Sequence, residues 1–422
     1  MGKPHVMAIP YPAQGHVIPL MEVAQCLANN GVKVTFVNTE FNHKRVVEAI
    51  SQTGGVHELI SLVSVQDVME SWEDRNDHGK LADAMINIMP QRLQNLIEKI
   101  NGTESDEITC VITDIYMAGA MDVAEKLGTP LKNQLIQLSP SMPEMSTQNF
   151  AWSCFPDLTM QKLIFQAILV NNKLAELAQY LICNSSHDLE PGALDFLPNS
   201  LPIGPLLASN RLGKPSGHFW PEDSSCLEWL DQQPISSVIY VAFGSFTVFN
   251  EVQFQELASG LELTNRPFLW VVRQDITQDI DEAYPVGFKE RVKNRAKMVD
   301  WAPQQQVLSH PSIACFLTHC GWNSTTEGVS NAVPFLCWPY FADQFLNQGY
   351  IVDHWRVGLG LERDENGIIK QEEIKDKVEK VLSDGSFRTR VLELKEKTIA
   401  GVAEGGSSLK NFDKFIDWIK EY

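Results

Sequence analysis

Two stretches of this sequence bring reactive side chains to the point where a loop leaves an apolar run. The first is Tyr11-Pro12-Ala13-Gln14-Gly15-His16, which follows the strand-like run His5–Pro10 and leads into helical spacing from about Val17. An imidazole titrates near neutrality and can take a proton from a hydroxyl. Asp114 ends a second apolar run, Ile108–Thr113. If the two runs are neighbouring strands, the Asp114 carboxylate could fix one ring nitrogen of His16 while the other accepts the proton. Each residue also has a plainer reading, as an incidental loop histidine and as a turn residue or helix cap.

The second stretch is Trp301–Gln344, WAPQQQVLSHPSIACFLTHCGWNSTTEGVSNAVPFLCWPYFADQ, 44 residues long. Trp301 follows a short strand-like run and offers a flat face to a nucleobase, with Ala302 and Gln304 beside it. His319 comes just after the run Ile313–Leu317. The residues that follow, CGWNSTTEG, read as the opening of a helix. Its first N–H groups are unpaired and carry partial positive charge, so they can cradle a diphosphate. Gly321 permits close backbone approach, Asn323 and Ser324 add side-chain donors, and Glu327 can accept two hydroxyls of a ribose diol. Asp343 and Gln344 close the stretch with groups suited to sugar hydroxyls. Alternatives stay open at this level. Ser324-x-x-Glu327 is also a capping-box pattern, Asp343 could cap the next helix, Trp301, Trp322 and Trp338 could be core, and His319 could be a satisfied buried histidine. Cys315, His319 and Cys320 lie close enough to suggest a metal, but no second ligand pair stands at zinc-like spacing, so none is expected.

The elements that must position these groups alternate from the start. His5–Pro10 and Lys33–Thr39 read as strands, and Val17–Asn30 between them reads as a helix stopped by Gly31. Leu81–Ile100 is amphipathic and divided by Pro90. A Pro/Gly/Ser-rich stretch, Pro202–Ser225, reads as a linker. Beyond it strands are expected at Ser237–Phe243, Phe268–Val272, Lys297–Val299, Ile313–Leu317 and Pro334–Trp338, with a helix at Gln253–Glu262. Helices at Gln371–Leu382, Phe387–Ala400 and Ser408–Tyr422 end the chain. This β-α-β alternation predicts an α/β chain of two doubly wound parallel domains facing a cleft, with ligands at the carboxyl ends of strands. The expected domains are 1–201, joined by the C-terminal helix 408–422 packing back on it, and 226–407.

Bulk properties exclude several classes. The chain has 422 residues and a net charge of −19, from 53 acidic and 34 basic side chains. Such a surface disfavours nucleic acid and anionic membrane as partners. The eight cysteines form no C-x-x-C pair and read as reduced thiols in a reducing compartment. No stretch reads as a signal peptide or membrane span, so a cytoplasmic protein is expected. A nicotinamide-binding dehydrogenase is excluded because no G-x-G-x-x-G follows the first strand.

The stretch 301–344 resembles, nearly residue for residue, the donor-binding signature of plant family 1 UDP-glycosyltransferases, the glucosyltransferases of secondary metabolism. The resemblance implies the GT-B fold, with UDP-sugar held by the C-terminal domain. It implies that Trp301 stacks on uracil with Ala302 adding backbone contacts, and that Gln304 and Glu327 hold the ribose. By the same resemblance His319, Asn323 and Ser324 meet the phosphates, and Trp322, Asp343 and Gln344 meet the sugar. A tryptophan at Trp322 and a glutamine at Gln344 go with glucose as the donor sugar. Gly244-Ser245 matches the family's second loop over the diphosphate. PAQGH looks like the loop of the catalytic base, His16, and Asp114 like its partner. Inverting transfer follows, by a monomer needing no cofactor beyond UDP-glucose as co-substrate; no Asp-x-Asp pair near the donor stretch could hold a metal. The acceptor would be set by loops such as 65–80 and 139–153. One departure stands out. After a helix expected at Ala118–Leu127, Gly128 runs into TPLKNQ and LIQL, where the family has a further strand and helix. The N-terminal domain is therefore expected to lack one β-α unit, and a UDP-sugar-binding protein with weak or no transfer is the competing reading.

Overall fold

The structure is a computed structural model that describes residues 4–53, 56–67, 69, 78–102, 107–114, 135–155, 157–197, 199–206, 220–277 and 280–421. The chain folds into two units. One comprises 1–134, 146–221 and 400–422; the other comprises 135–145 and 222–399.

In the first unit, β1 (His5–Ile9), β2 (Lys33–Thr39), β3 (Ile60–Val65) and β4 (Cys110–Thr113) form a parallel sheet in the order β3-β2-β1-β4. Successive side chains of a strand point to opposite faces. In β1 both sets are apolar, as a sheet covered on both sides requires. Val6 and Ala8 enter a core with the helix Gln14–Asn29 and with Phe412, Phe415, Ile416 and Ile419 of the last helix, Ser407–Glu421. Met7 and Ile9 enter a second core with the helices His78–Asn87 and Met89–Asn101. Pro90 sits in the first turn of the latter, where its missing N–H costs nothing. The last helix is tied further by Asn411 Nδ2, which donates to the Pro202 carbonyl at 2.9 Å.

Three features of the chain up to residue 206 depart from expectation. The first helix begins at Gln14 rather than near Val17, so His16 lies in its first turn. The LIQL run does not join the main sheet. Among the described residues its β5 (Leu135–Ile136) pairs only with β6 (Met145–Ser146), and Leu135 and Leu138 are exposed. The start of the expected linker is core, because β7 (Leu181–Cys183) pairs with β8 (Ser200–Pro202) and Ile203 and Leu206 are buried beside them. Among the described residues β4 pairs only with β1, and its Val111 is 48% exposed. The helix expected at Ala118–Leu127 and the join at 128–134 lie outside the described residues.

In the second unit, β9 (Val238–Ala242), β10 (Phe268–Val271), β11 (Ala296–Val299), β12 (Ile313–Thr318), β13 (Phe335–Cys337) and β14 (Gly358–Gly360) form a parallel sheet in the order β11-β10-β9-β12-β13-β14. Counted from β9 this is the 3-2-1-4-5-6 winding of nucleotide-binding α/β folds. Its core holds Trp270, Phe254, Phe288 and Trp338, all nearly free of solvent. β14 was not expected: GLG is too short and too poor in apolar side chains to read as a strand. The segment 135–145 belongs to this unit, and Pro143 abuts Gly349 so closely that a Cβ there would lie 2.6 Å away.

Candidate active site

In each unit the strand order reverses beside the first strand, and ligands of open α/β sheets bind at that reversal. In the first unit the reversal lies between β1 and β4. The parallel register pairs Ile9 with Thr113, which carries the residues beyond both strand ends to the same place. The Asp114 N–H donates to the Ile9 carbonyl at 3.0 Å. The Asp114 carboxylate then meets His16 Nδ1 at 2.7 Å. The histidine side chain is 32% exposed and the aspartate 17%, so the ring stays reachable while the carboxylate behind it is sheltered. Tyr11 packs edge-on against the ring at 5.2 Å. This arrangement can hold one tautomer of His16 and leave Nε2 for proton transfer.

In the second unit the reversal lies between β9 and β12. Gly244 and Ser245 follow β9, and His319 follows β12. Gly244, at φ 66°, and Gly321 bracket the His319 ring: a Cβ on either would lie 2.5 Å from Nε2. Gly321 caps the helix Trp322–Ser330 with no side-chain bond, so Ser324 is inside the helix and the capping-box alternative is not realised. Instead Gln304 Nε2 donates to Ser324 Oγ at 2.9 Å and to Glu327 Oε2 at 2.6 Å. Asp343 stands at the start of the helix Gln344–Gly349 without capping it. Its Oδ2 accepts from Asn347 Nδ2 at 2.7 Å, and the same amide donates to the Cys320 carbonyl. Gln344 Oε1 takes the N–H groups of Tyr340 and Phe341, so the end left for a ligand is the donor NH2. Trp301, Trp322 and Asn323 are partly exposed, Ala302 is buried, and the Trp301 carbonyl accepts the Asp223 N–H. Among the described residues no group of His, Cys, Asp and Glu is arranged to hold a metal.

A family model described as UDP-glucoronosyl and UDP-glucosyl transferase matches residues 217–399. UDP-glycosyltransferase 83A1 of Arabidopsis thaliana is 42% identical over 466 aligned positions, which cover 100% of this chain and 97% of the relative. The chain belongs to the plant UDP-glycosyltransferase family. Os79 of O. sativa in complex with UDP superposes on this glycosyltransferase with a TM-score of 0.82 at 25% identity, over 98% of this chain and 100% of the other. Phytolacca americana UGT2, complexed with UDP-2fluoro-glucose and pterostilbene, does so with 0.80 at 26%, over 99% of each. The Arabidopsis alignment has more positions than this glycosyltransferase has residues, so the relative carries segments with no counterpart here.

Electrostatics of the glycosyltransferase's second unit follow from burial. The Glu327 carboxyl is pushed up to about 7 by desolvation, partly offset by hydrogen bonds from Gln304 and Gln305. His319 is pushed down to about 4, first by its low-polarity surroundings and then by the Arg273 guanidinium, against a hydrogen bond to the Ala242 carbonyl. It is a neutral imidazole at physiological pH. Sequence reading missed three supporting residues. Tyr240, buried in β9, donates its hydroxyl to Gln304 Oε1 at 3.1 Å. Asn347 locks Asp343, and Arg273 binds the loop after β9. Only Asn347 carried a signal, because it stands four residues after Asp343 at the start of a helix.

Proposed function

We propose that this glycosyltransferase moves glucose from UDP-glucose to a hydroxyl of a small lipophilic acceptor with inversion, acting as a cytoplasmic monomer. The observation that carries the reading is the 2.7 Å contact between His16 Nδ1 and the Asp114 carboxylate at the end of adjoining strands. His16 Nε2 takes the acceptor's proton and Asp114 stabilises the imidazolium. The acceptor oxygen bonds to the anomeric carbon as the bond to the diphosphate breaks, and UDP leaves with that electron pair. Trp301 and Ala302 hold uracil, Gln304 and Glu327 the ribose, and Trp322, Asp343 and Gln344 the sugar. Ser245, His319, Gly321, Asn323, Ser324 and the first N–H groups of the helix Trp322–Ser330 meet the charge that grows on the leaving group. With those donors in place the reaction needs no metal, and EDTA is expected to leave the rate unchanged. The analogue UDP-2fluoro-glucose bound by the Phytolacca relative supports the choice of sugar, and eight free cysteines support a reducing compartment.

Incubation with UDP-glucose and a panel of flavonoids, phenolics and terpenoids tests the reading. Glycoside formation should fall at least about a hundredfold in His16→Ala while UDP affinity holds. Undiminished turnover in that variant would sink the mechanism. A second reading, UDP-sugar binding with little or no transfer, is favoured by the β4 edge, which no other described strand pairs with, and by the positions missing relative to the Arabidopsis protein. Donor binding without turnover on any acceptor would establish it.

A further inference from the structure

Arg273 lies two residues beyond β10 and is 3% exposed. Burial works against its charge, and among the described residues its ionic partner is Asp275, to which Nε donates at 2.8 Å. The rest of the guanidinium is spent on backbone. Nη1 donates to the Gly244 carbonyl and Nη2 to the Thr247 carbonyl, the latter at 2.9 Å. The flanking chain follows suit, since the Phe249 N–H donates to the Ile276 carbonyl at 2.7 Å. A buried cation is thus devoted to one face of the loop 244–249.

Peptide geometry says what this does to the other face. In a trans peptide the carbonyl of one residue and the N–H of the next point in opposite directions. Drawing the Gly244 and Thr247 oxygens onto Arg273 turns the Ser245 and Val248 N–H groups away from it. The Gly244 and Thr247 acceptors are held inward and the Ser245 and Val248 donors are turned outward, where Gly244 lies against the His319 ring. A diphosphate needs donors and is repelled by carbonyl oxygens. We propose that Arg273 is the positioning residue of the diphosphate loop, holding the Gly244 and Thr247 carbonyls off the phosphates so that the Ser245 amide faces them. The inference rests on the reading that Gly244-Ser245 covers the diphosphate.

Calorimetry with UDP and with uridine, on the full chain, separates a phosphate-specific effect from general damage. R273M should weaken UDP about tenfold or more and change uridine less than about twofold. R273K keeps the charge but not the fork, and should fall between R273M and the parent. UDP and uridine weakened in parallel, or neither weakened, would overturn the proposal. If R273M fails to fold, R273K decides on the same ratio. G244A, whose Cβ would strike His319, tests the underlying reading separately. A parent-like UDP-to-uridine ratio in G244A means the loop does not cover the diphosphate. A lowered ratio in G244A with parent-like ratios in R273M and R273K means that the Gly244–His319 contact bears on the phosphates and that Arg273 does not position the loop.

Discussion

At the scale of single residues, the site is built from groups whose charge the surroundings control. Glu327 and His319 act on stability in opposite directions. Between about pH 4.5 and 7 the folded Glu327 keeps its proton while the unfolded chain has lost it, so stability falls as pH rises through that window. The cost above it reaches about 3 kcal/mol. His319 has the reverse sign. Between about pH 6.5 and 4 the unfolded chain binds a proton that the folded ring refuses, so stability falls as pH falls. Glu327→Gln should therefore raise the melting temperature of the ligand-free protein at pH 8 by several degrees and flatten its decline between pH 5 and 8. On its proposed ribose role, the same change should weaken UDP about tenfold at pH 8, where the carboxylate is ionised. A thermal series over pH checks the first claim, and an unchanged slope would remove Glu327 as its source. The residues proposed to touch UDP-sugar could be named from the sequence because most of them fall in one long signature, 301–344. Those that hold them were not. Arg273 and Tyr240 sit in apolar strand contexts where only the fold reveals what their polar ends reach.

At the scale of elements, position follows from sheet order. Both candidate centres lie at a reversal of winding, and both helices that follow a reversal begin within a few residues of the strand end. Alternating apolar runs made most strands and helices legible, and boundaries moved by one to three residues. The failures are short elements set by neighbours. β14 is GLG, held by pairing with β13, and β5 is an apolar run that among the described residues pairs only with β6. Helix and strand also touch too closely to tolerate change. A Cβ on Gly328 would lie 2.4 Å from Phe335 Cζ, in the packing of the helix Trp322–Ser330 on β13. Gly328→Ala should cost about 1–3 kcal/mol and, by lifting the helix whose first turn is proposed to meet the phosphates, weaken UDP as well. Urea unfolding with a UDP titration checks both; an unshifted midpoint would show that the ring yields freely.

At the scale of the whole molecule, the alternation of strands and helices announced two doubly wound units, but not how the chain is shared between them. The segment 135–145 belongs to the second unit and 400–422 to the first, because contacts rather than sequence order decide. Phe415 is 4% exposed in the core of the first unit. Phe415→Ala should destabilise that unit by about 3–5 kcal/mol and leave the second nearly untouched. Hydrogen exchange read strand by strand distinguishes the two, and equal loss of protection in β1 and β9 would contradict it.

The return of the last helix also sets a schedule. Residues 222–399 leave the ribosome before 407–421 do, so the second unit has the bulk of its chain in hand while the first still lacks Phe412, Phe415, Ile416 and Ile419. The half of the molecule made first is finished last. Until the last helix is made, the face of the first sheet already covered by the helix Gln14–Asn29 still lacks those four apolar side chains, and the gap they leave gives nascent-chain chaperones a target while translation continues.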